Sequence, residues 1–335
     1  MKLAVIGAGY WGVNLIRVFH RMRVLGCICE FNVQRLQYLA KEYPEVRVES
    51  SYEAVLNDQS VGAIVIATPA ETHYGLAKQA LLAGKDVFVE KPMTLRADEA
   101  EELTLLAESR ARVLMVGHLL EFHPAITRLQ ELIEEGRLGR IEYIYSNRLN
   151  LGKVRREENA LWSFAPHDIS VILLLLKQLP IQVTATGGTY LQPNIADVTI
   201  STMLFSRGTR AHLFVSWLHP YKEQKLVVVG ENRMAVFDDV RATDKLQLYD
   251  KRIDLVDGQF VVEPHRSIGR VSFRRAPALG MRHFVECVET RRTPKTDGHD
   301  AWGVLRVLET SQRSLSMNGE PVQLEPQRSL EVIRA

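Results

Sequence analysis

Lys2-Leu-Ala-Val-Ile-Gly-Ala-Gly-Tyr-Trp-Gly12 decides how this chain folds. Lys2 to Ile6 is an apolar strand, and the residues after Gly12 place Leu15, Ile16 and Phe19 on one helical face. Between them stands G-x-G-x-x-G, in the strand–loop–helix context that lays a diphosphate on free N–H groups and on the positive end of a helix dipole. Gly7 allows the tight turn, Gly9 lets the backbone approach a pyrophosphate, and Gly12 lets the helix pack against the strand. Tyr10 and Trp11 ride on the same loop. A second strand, Val24 to Cys29, ends in Glu30, about 20 residues downstream, where an acid takes the ribose hydroxyls and repels a 2′-phosphate. NAD is therefore expected in preference to NADP.

The alternation continues outward from there. Asn32 to Tyr43 reads as a helix, Val46 to Val48 as a strand, and Ser50-Ser-Tyr-Glu53 as a capping box opening a short helix. Ala63 to Ala67 is a strand ending in Thr68-Pro69, and Thr72 to Ala83 is a helix closed by Gly84. Val87 to Val89 is a short buried strand that runs into Glu90-Lys91-Pro92-Met93. Ala97 to Ser109 is a helix and Val113 to Val116 a last strand. Strictly alternating elements predict one doubly wound, mostly parallel α/β domain over residues 1–118. Ligands of such sheets collect outside the carboxyl ends of the strands, which puts Lys91 at the crevice.

After Gly117-His118 the pattern changes. His123 to Glu135 is helical, Ile141 to Asn150 a long strand, Leu151 to Ala165 a charged loop, and Pro166 to Lys177 a strongly apolar helix. Then come short strands at hairpin spacing: Gln182–Tyr190, Asp197–Phe205, Ala211–Trp217, Lys225–Val229, Met234–Phe237, Leu246–Tyr249 and Phe260–Glu263. Two helices, Ala278–Thr290 and His299–Met317, follow. The expectation for residues 119–335 is an α+β domain on one large, mostly antiparallel open sheet that binds substrate. A sheet of that size with one uncovered face predicts a homodimer or homotetramer built through it.

Bulk properties exclude several classes. With 335 residues the chain is long enough for two cores. Net charge is +2, so nothing advertises nucleic acid or an anionic membrane. Cys27, Cys29 and Cys287 are too few for a disulfide framework and fit a reducing cytoplasm. Cys27 and Cys29 alternate along one strand as core residues, and no Cys/His spacing suggests a metal. Met1 leads straight into a strand, so no secretory leader is expected. The most apolar run, Ile169 to Leu176, is too short to span a bilayer.

Gly7–Gly12, Glu30, Thr68-Pro69, Glu90-Lys91-Pro92 and Ala165-Pro-His-Asp168 together resemble the glucose–fructose oxidoreductase / inositol dehydrogenase / MocA family of NAD(P)-dependent sugar dehydrogenases. The resemblance spans nearly the whole chain, and Glu-Lys-Pro is its most specific short mark. It implies that Lys91 lies between nicotinamide and sugar and that His167, on a helix of the second domain, joins it. Many members carry an Asp four residues before that histidine, where this chain has Ser163. Asp168 follows the histidine directly, but adjacent helical residues point in different directions. Four segments, Gly117–Pro124, Asn147–Gly152, Glu158–Asp168 and Ser216–Pro220, are similar to the branch of UDP-N-acetylglucosamine 3-dehydrogenases and related UDP-sugar 3-dehydrogenases. The partner implied is a nucleotide-sugar substrate. Within catalysis the alternatives are a C6-carboxylate sugar nucleotide and a free sugar or inositol. Outside it stands a non-catalytic NAD-binding regulator, against which intact Lys91 and His167 argue.

Oxidising a ring hydroxyl needs a hydride acceptor, here NAD, and a base. His167 suits the base by its ordinary pKa, with Lys91 stabilising the developing alkoxide, and this assignment is favoured over the reverse. The cofactor-binding set expected is Gly7, Gly9, Tyr10, Trp11, Gly12, Glu30, Thr68, Pro69, His73, Glu90 and Lys91. The substrate-binding set is Lys91, His118, Arg148, Asn159 and His167. Arg148 and its neighbours Arg155 and Arg156 are of the type that clamps a diphosphate.

Overall fold

The computed structural model describes residues 1–251, 253–262, 267–271 and 278–324. The chain divides into two compact units, Met1–Phe122 with Ala276–Leu305, and His123–Arg275 with Arg306–Ala335.

The first unit begins β1 (Lys2–Ile6), α1 (Gly12–Arg21), β2 (Leu25–Cys29), α2 (Val33–Glu42), β3 (Arg47–Glu49), α3 (Tyr52–Asn57) and β4 (Val61–Ile66). It continues α4 (His73–Leu82), β5 (Asp86–Val89), α5 (Ala97–Ser109) and β6 (Leu114–Val116). The six strands form one parallel sheet in the order β3-β2-β1-β4-β5-β6. Apart from the edge strand β3, Arg47-Val-Glu49, these strands are mainly apolar because helices cover both faces, and Val5, Ile28, Val65, Phe88 and Met115 are fully buried. The order reverses between β1 and β4, so the crevice lies beyond their carboxyl ends, where the glycine loop and Thr68-Pro69 emerge. The cap of α3 is Ser51, one residue later than the capping box predicts. Its hydroxyl takes the Ala54 N–H, while the N–H of Ser50 is held by Glu49.

In the second unit come α6 (Pro124–Glu134), β7 (Ile141–Leu151), α7 (Ala160–Leu176), β8 (Gln182–Gly188), β9 (Val198–Leu204), β10 (Arg210–Ser216) and β11 (Leu218–Gly230). Then follow β12 (Arg233–Asp238), β13 (Leu246–Asp250), β14 (Ile253–Val256), β15 (Gln259–Val262) and β16 (Ser267–Val271). The chain closes with α8 (Leu279–Thr290), α9 (Gly298–Ser316) and β17 (Val322–Gln323). Nine strands build one sheet, β16-β13-β12-β11-β7-β10-β9-β8-β17, in which only β7 and β10 pair in parallel. Ser146 on β7 bonds Asp168 on α7, which fixes the helix-covered face. Tyr143, Tyr145, Phe214, His212 and Ile200 alternate onto the other face, with the Tyr145 and His212 rings stacked 5.4 Å apart.

Three expectations change. First, α7 starts at Ala160, not at Pro166. Asn159 caps it by accepting the Trp162 N–H at 3.1 Å, and Pro166 sits inside the helix. Residues 160–165, expected in a loop, are therefore helical, and His167 stands in mid-helix. Second, the unit containing the glycine loop does not end at residue 118. Met281, Phe284, Val285, Cys287 and Val288 of α8 join its core, Phe284 packs edge-on to Phe88 at 5.7 Å, and Arg291 grips the buried Asp86. Third, β15 pairs with β14 in a separate hairpin and does not extend the large sheet. Glu263, expected at the end of that strand, lies outside the described residues. No helix among the described residues is long and apolar enough to cross a membrane.

Candidate active site

The glycine loop is held by its own backbone and by Glu30. Gly7 has φ +87° and donates its N–H to Cys29 at 2.8 Å. Glu30 binds the loop with one oxygen, which accepts the Ala8 N–H at 2.8 Å, and its own strand end with the other, which accepts the Asn32 N–H at 2.9 Å. The N-terminus of α1 has no side-chain cap and no acid in its first turn; Val13 and Asn14 donate to the Gly9 and Trp11 carbonyls, and the positive end of the helix faces the glycine loop. Tyr10 is 91% exposed, so its ring is open to a ligand rather than part of the core.

His73 and Glu90 tie the neighbouring loops together. The His73 ring is buried, with Nδ1 2.7 Å from the Pro92 carbonyl oxygen and Nε2 2.9 Å from that of Thr68. It thus joins the turn after β5 to the loop after β4. Burial depresses its pKa, against the pull of those two carbonyls. Thr72 donates its hydroxyl to the Pro69 carbonyl at 2.7 Å, and the Thr68 and Thr72 hydroxyls meet at 2.6 Å. Glu90 accepts the Trp11 indole N–H at 2.6 Å through Oε1 and the Lys91 backbone N–H at 3.3 Å through Oε2. Burial pushes its pKa up to about 7, opposed by the Trp11 bond and by the charges of Lys91 and His118. Lys91 is half-buried at the carboxyl end of β5, and the Lys91–Pro92 peptide is cis. His118, directly after β6, is buried, with Nδ1 2.6 Å from Oδ2 of Asp300. Ligand atoms of His118, Glu121 and Asp300 gather within 4.8 Å of one another, but the first and last already share a direct hydrogen bond.

The second unit places its candidates along α7 and β7. Asp168 is buried; it accepts the Ser146 hydroxyl at 2.7 Å and holds Arg148 through Nε at 2.5 Å and Nη2 at 3.2 Å. The Arg148 fork, expected at a diphosphate, is engaged inside the fold. Asn159, expected at the substrate, caps α7 and donates Nδ2–H to Gln312 at 2.8 Å. Arg155 lies in an exposed stretch and pairs with Glu158. His167 is half-buried beside Asp168 in sequence but directed elsewhere, and Ser163, one turn earlier, is buried. Glycine loop, Glu30, Thr68-Pro69, His73, Glu90 and Lys91 therefore form one connected group, while Arg148, Asn159 and His167 share the α7 framework of the other unit.

The Trp11–Glu90 bond, the Asp300 partner of His118 and the Gln312 partner of Asn159 are absent from the reading of the sequence.

Comparison with known proteins agrees with this construction. Residues 1–118 match the oxidoreductase family described as having an NAD-binding Rossmann fold, and residues 126–236 match the GFO/IDH/MocA C-terminal domain. The UDP-N-acetylglucosamine 3-dehydrogenase of Acidithiobacillus ferrooxidans is 29% identical over 259 residues, 77% of this chain and 80% of that one. Its solved structure superposes with a TM-score of 0.83 at 26% identity, covering 95% of this chain and 98% of that one. The scyllo-inositol 2-dehydrogenase (NAD(+)) of Bacillus subtilis is 25% identical over 345 residues, 98% of each chain. With both domains matched in order, this chain belongs to the Gfo/Idh/MocA family of NAD-binding oxidoreductases.

Proposed function

We propose that this chain is a UDP-amino-sugar 3-dehydrogenase, oxidising the C3 hydroxyl of UDP-N-acetylglucosamine to the 3-keto sugar that a later amination consumes. The chemistry is carried by one observation: Lys91 stands at the carboxyl end of β5, in the same connected group as the glycine loop and Glu30. The substrate is supported by likeness to the UDP-N-acetylglucosamine enzyme over 77% of the chain. NAD, when bound, accepts the hydride. His167 takes the hydroxyl proton, and the Lys91 ammonium stabilises the alkoxide as it forms. Glu30 holds the ribose hydroxyls in preference to a 2′-phosphate. The protein works in the cytoplasm, where its three cysteines are free and buried. It assembles as a dimer or tetramer through the Tyr143–Tyr145 face of its large sheet; light scattering that finds only monomer at micromolar concentration refutes the assembly.

The inositol relative, matched over 98% of both chains, favours a free polyol as the second reading. Thermal melts with NAD plus UDP-N-acetylglucosamine, its uronic acid, UDP or inositol separate the two. A ligand well above its Kd raises stability by about 3 kcal/mol. NADH formation with inositol and none with UDP-sugars overturns the proposal. Lys91→Ala and His167→Ala each lower kcat by roughly 10²–10⁴ with NAD affinity retained, and their losses do not add. The wild-type rate rises with pH through an inflection near neutrality that His167→Ala removes. Retention of that inflection in His167→Ala, with its loss in Lys91→Ala, reverses the two roles.

A further inference from the structure

Two side chains far apart in sequence meet at the ligand end of the parallel sheet. Trp11, on the glycine loop, and Glu90, at the end of β5, are separated by 79 positions and joined at 2.6 Å. An indole N–H only donates, and here its acceptor is a carboxylate oxygen. The second Glu90 oxygen accepts the Lys91 backbone N–H at 3.3 Å. On the β6 side Gly117 closes the space, since a Cβ there would lie 2.8 Å from that oxygen. The groups facing the carboxyl are thus the neutral indole from the glycine loop, Lys91 from the β5 turn, and His118 from the end of β6.

Ionised Glu90 matches both of its donors. A protonated acid serves them less well, because its oxygens are weaker acceptors than those of a carboxylate. Protonation therefore weakens both bonds by removing their charge assistance, and the longer one, to Lys91, yields first. The charge on Glu90 is geared mechanically to the two segments expected to contact the cofactor, the glycine loop and the Lys91 turn.

We propose that the Trp11–Glu90 pair is a positioning device that couples cofactor oxidation state to one proton, with NAD⁺ favouring the ionised pair and NADH leaving the pair to titrate as in the free protein. Trp11 and Glu90 act through the loop and the turn they hold, not on the reacting atoms. The electrostatic reason is that a cationic nicotinamide ring near the strand ends favours a carboxylate, whereas the neutral reduced ring withdraws that support. Burial sets the titration of Glu90 at about 7, inside the working range of an enzyme at neutral pH. The balance is simple: NAD⁺ binding to the protonated form releases the Glu90 carboxyl proton to buffer, and NADH binding releases none. This inference rests on NAD as cofactor and is independent of which sugar is oxidised.

The test needs no turnover. Calorimetric titration of NAD⁺ into the full chain, in two buffers of different ionisation heat, counts released protons. At about pH 6, wild type releases up to about one proton per site, and above about pH 8 it releases none. NADH releases none at either pH. Glu90→Gln, which keeps an oxygen for the indole, abolishes the release. Trp11→Phe, which removes a donor that favours the carboxylate, shifts the release to higher pH. In the free protein, tryptophan emission titrates near neutrality, and both substitutions eliminate that transition. Unchanged proton release in Glu90→Gln assigns the proton to a histidine and overturns the proposal, as does flat emission of the free protein across this range. Should Glu90→Gln fail to bind NAD⁺, the Trp11→Phe shift and the free-protein titration decide. Failure of the wild type to bind NAD⁺ at all refutes the cofactor assignment instead.

Discussion

Gly12 and Gly9 occupy one loop but are glycines for different reasons, and alanine at each separates them. A Cβ built on Gly12 lies 2.1 Å from the Gly7 carbonyl oxygen and 3.0 Å from its carbon. Ordinary non-bonded contacts begin at about 3.5 Å, so the loop must retreat by roughly 1 Å or more. Overpacking of this kind costs about 1–3 kcal/mol, and the helix propensity gained by alanine recovers at most about 1 kcal/mol. Gly12→Ala is therefore expected to lower the stability of the free protein by about 1–2 kcal/mol. A Cβ on Gly9 meets nothing within 4 Å. Gly9→Ala is expected to leave the free protein within about 0.5 kcal/mol of wild type. Its new methyl projects where the backbone is to approach a pyrophosphate, so NAD affinity should fall by roughly 10–100-fold, about 1.4–2.8 kcal/mol. Gly12→Ala should lose affinity of the same order, because moving the loop takes its N–H groups off the anion. Urea melts of the free proteins and calorimetric NAD titrations measure both quantities. Wild-type NAD affinity in Gly9→Ala refutes the cradle, and unchanged stability in Gly12→Ala refutes the contact argument.

Glu30→Ala should weaken NAD and narrow its advantage over NADP, because the ribose hydroxyls lose an acceptor and a 2′-phosphate loses its repulsion; equal NAD and NADP affinities in the wild type sink the assignment. Asp168→Ala should destabilise the protein by about 3–5 kcal/mol, since it strands the half-buried Arg148 guanidinium and the Ser146 hydroxyl, and a chemical melt within about 1 kcal/mol of wild type contradicts this. Glu90 gives a pH dependence of stability. Its folded pKa of about 7 stands above an unfolded value near 4.5, so the folded state holds the extra proton between them and stability falls as pH rises through that window. The full effect is about 3 kcal/mol, and subtracting Glu90→Gln melts from wild-type melts across the window should reveal that slope; a difference independent of pH refutes it.

The parallel half of the fold was legible because its central strands β1, β4 and β5 are short apolar runs buried on both faces, while the edge strand β3 is Arg-Val-Glu. Ends shift by a residue or two, as with Val24 against Leu25 and Ser50 against Ser51. What the sequence hid is of long range. Pro166 resembles a helix start, but Asn159, a better cap, lies earlier and the helix absorbs the proline. Helix α8 looks like a tail of the second domain because it follows that domain's strands, and only packing of Phe284 on Phe88 reassigns it. Strand β15 carries the same apolar residues as its neighbours, yet pairs only with β14. In the site, Lys91 and Glu30 were legible because a strand end dictates where they stand. Arg148 and Asn159 were placed by residue type alone, and type does not reveal that Asp168 and Gln312 already engage them.

Those engagements explain how the first unit holds a site together with so few residues. Three side chains each bind two loops: Glu30 ties the β1 loop to the end of β2, His73 ties the β4 loop to the β5 turn, and Glu90 ties the β1 loop to the β5 turn. Together they connect the ends of β1, β2, β4 and β5, so side chains of the unit itself tie the loops at the carboxyl edge of the sheet to one another. Ordering that edge on binding would otherwise cost about 0.5–1.5 kcal/mol for each side chain immobilised. Of the three ties, Glu30 accepts two backbone N–H groups, and the buried His73 ring stands between two carbonyl oxygens, donating to one of them when neutral. The Glu90 tie differs, because burial places its acid at the midpoint of its titration. On the proposed coupling, the redox form of a bound dinucleotide acts on the glycine loop and the Lys91 turn through this one tie.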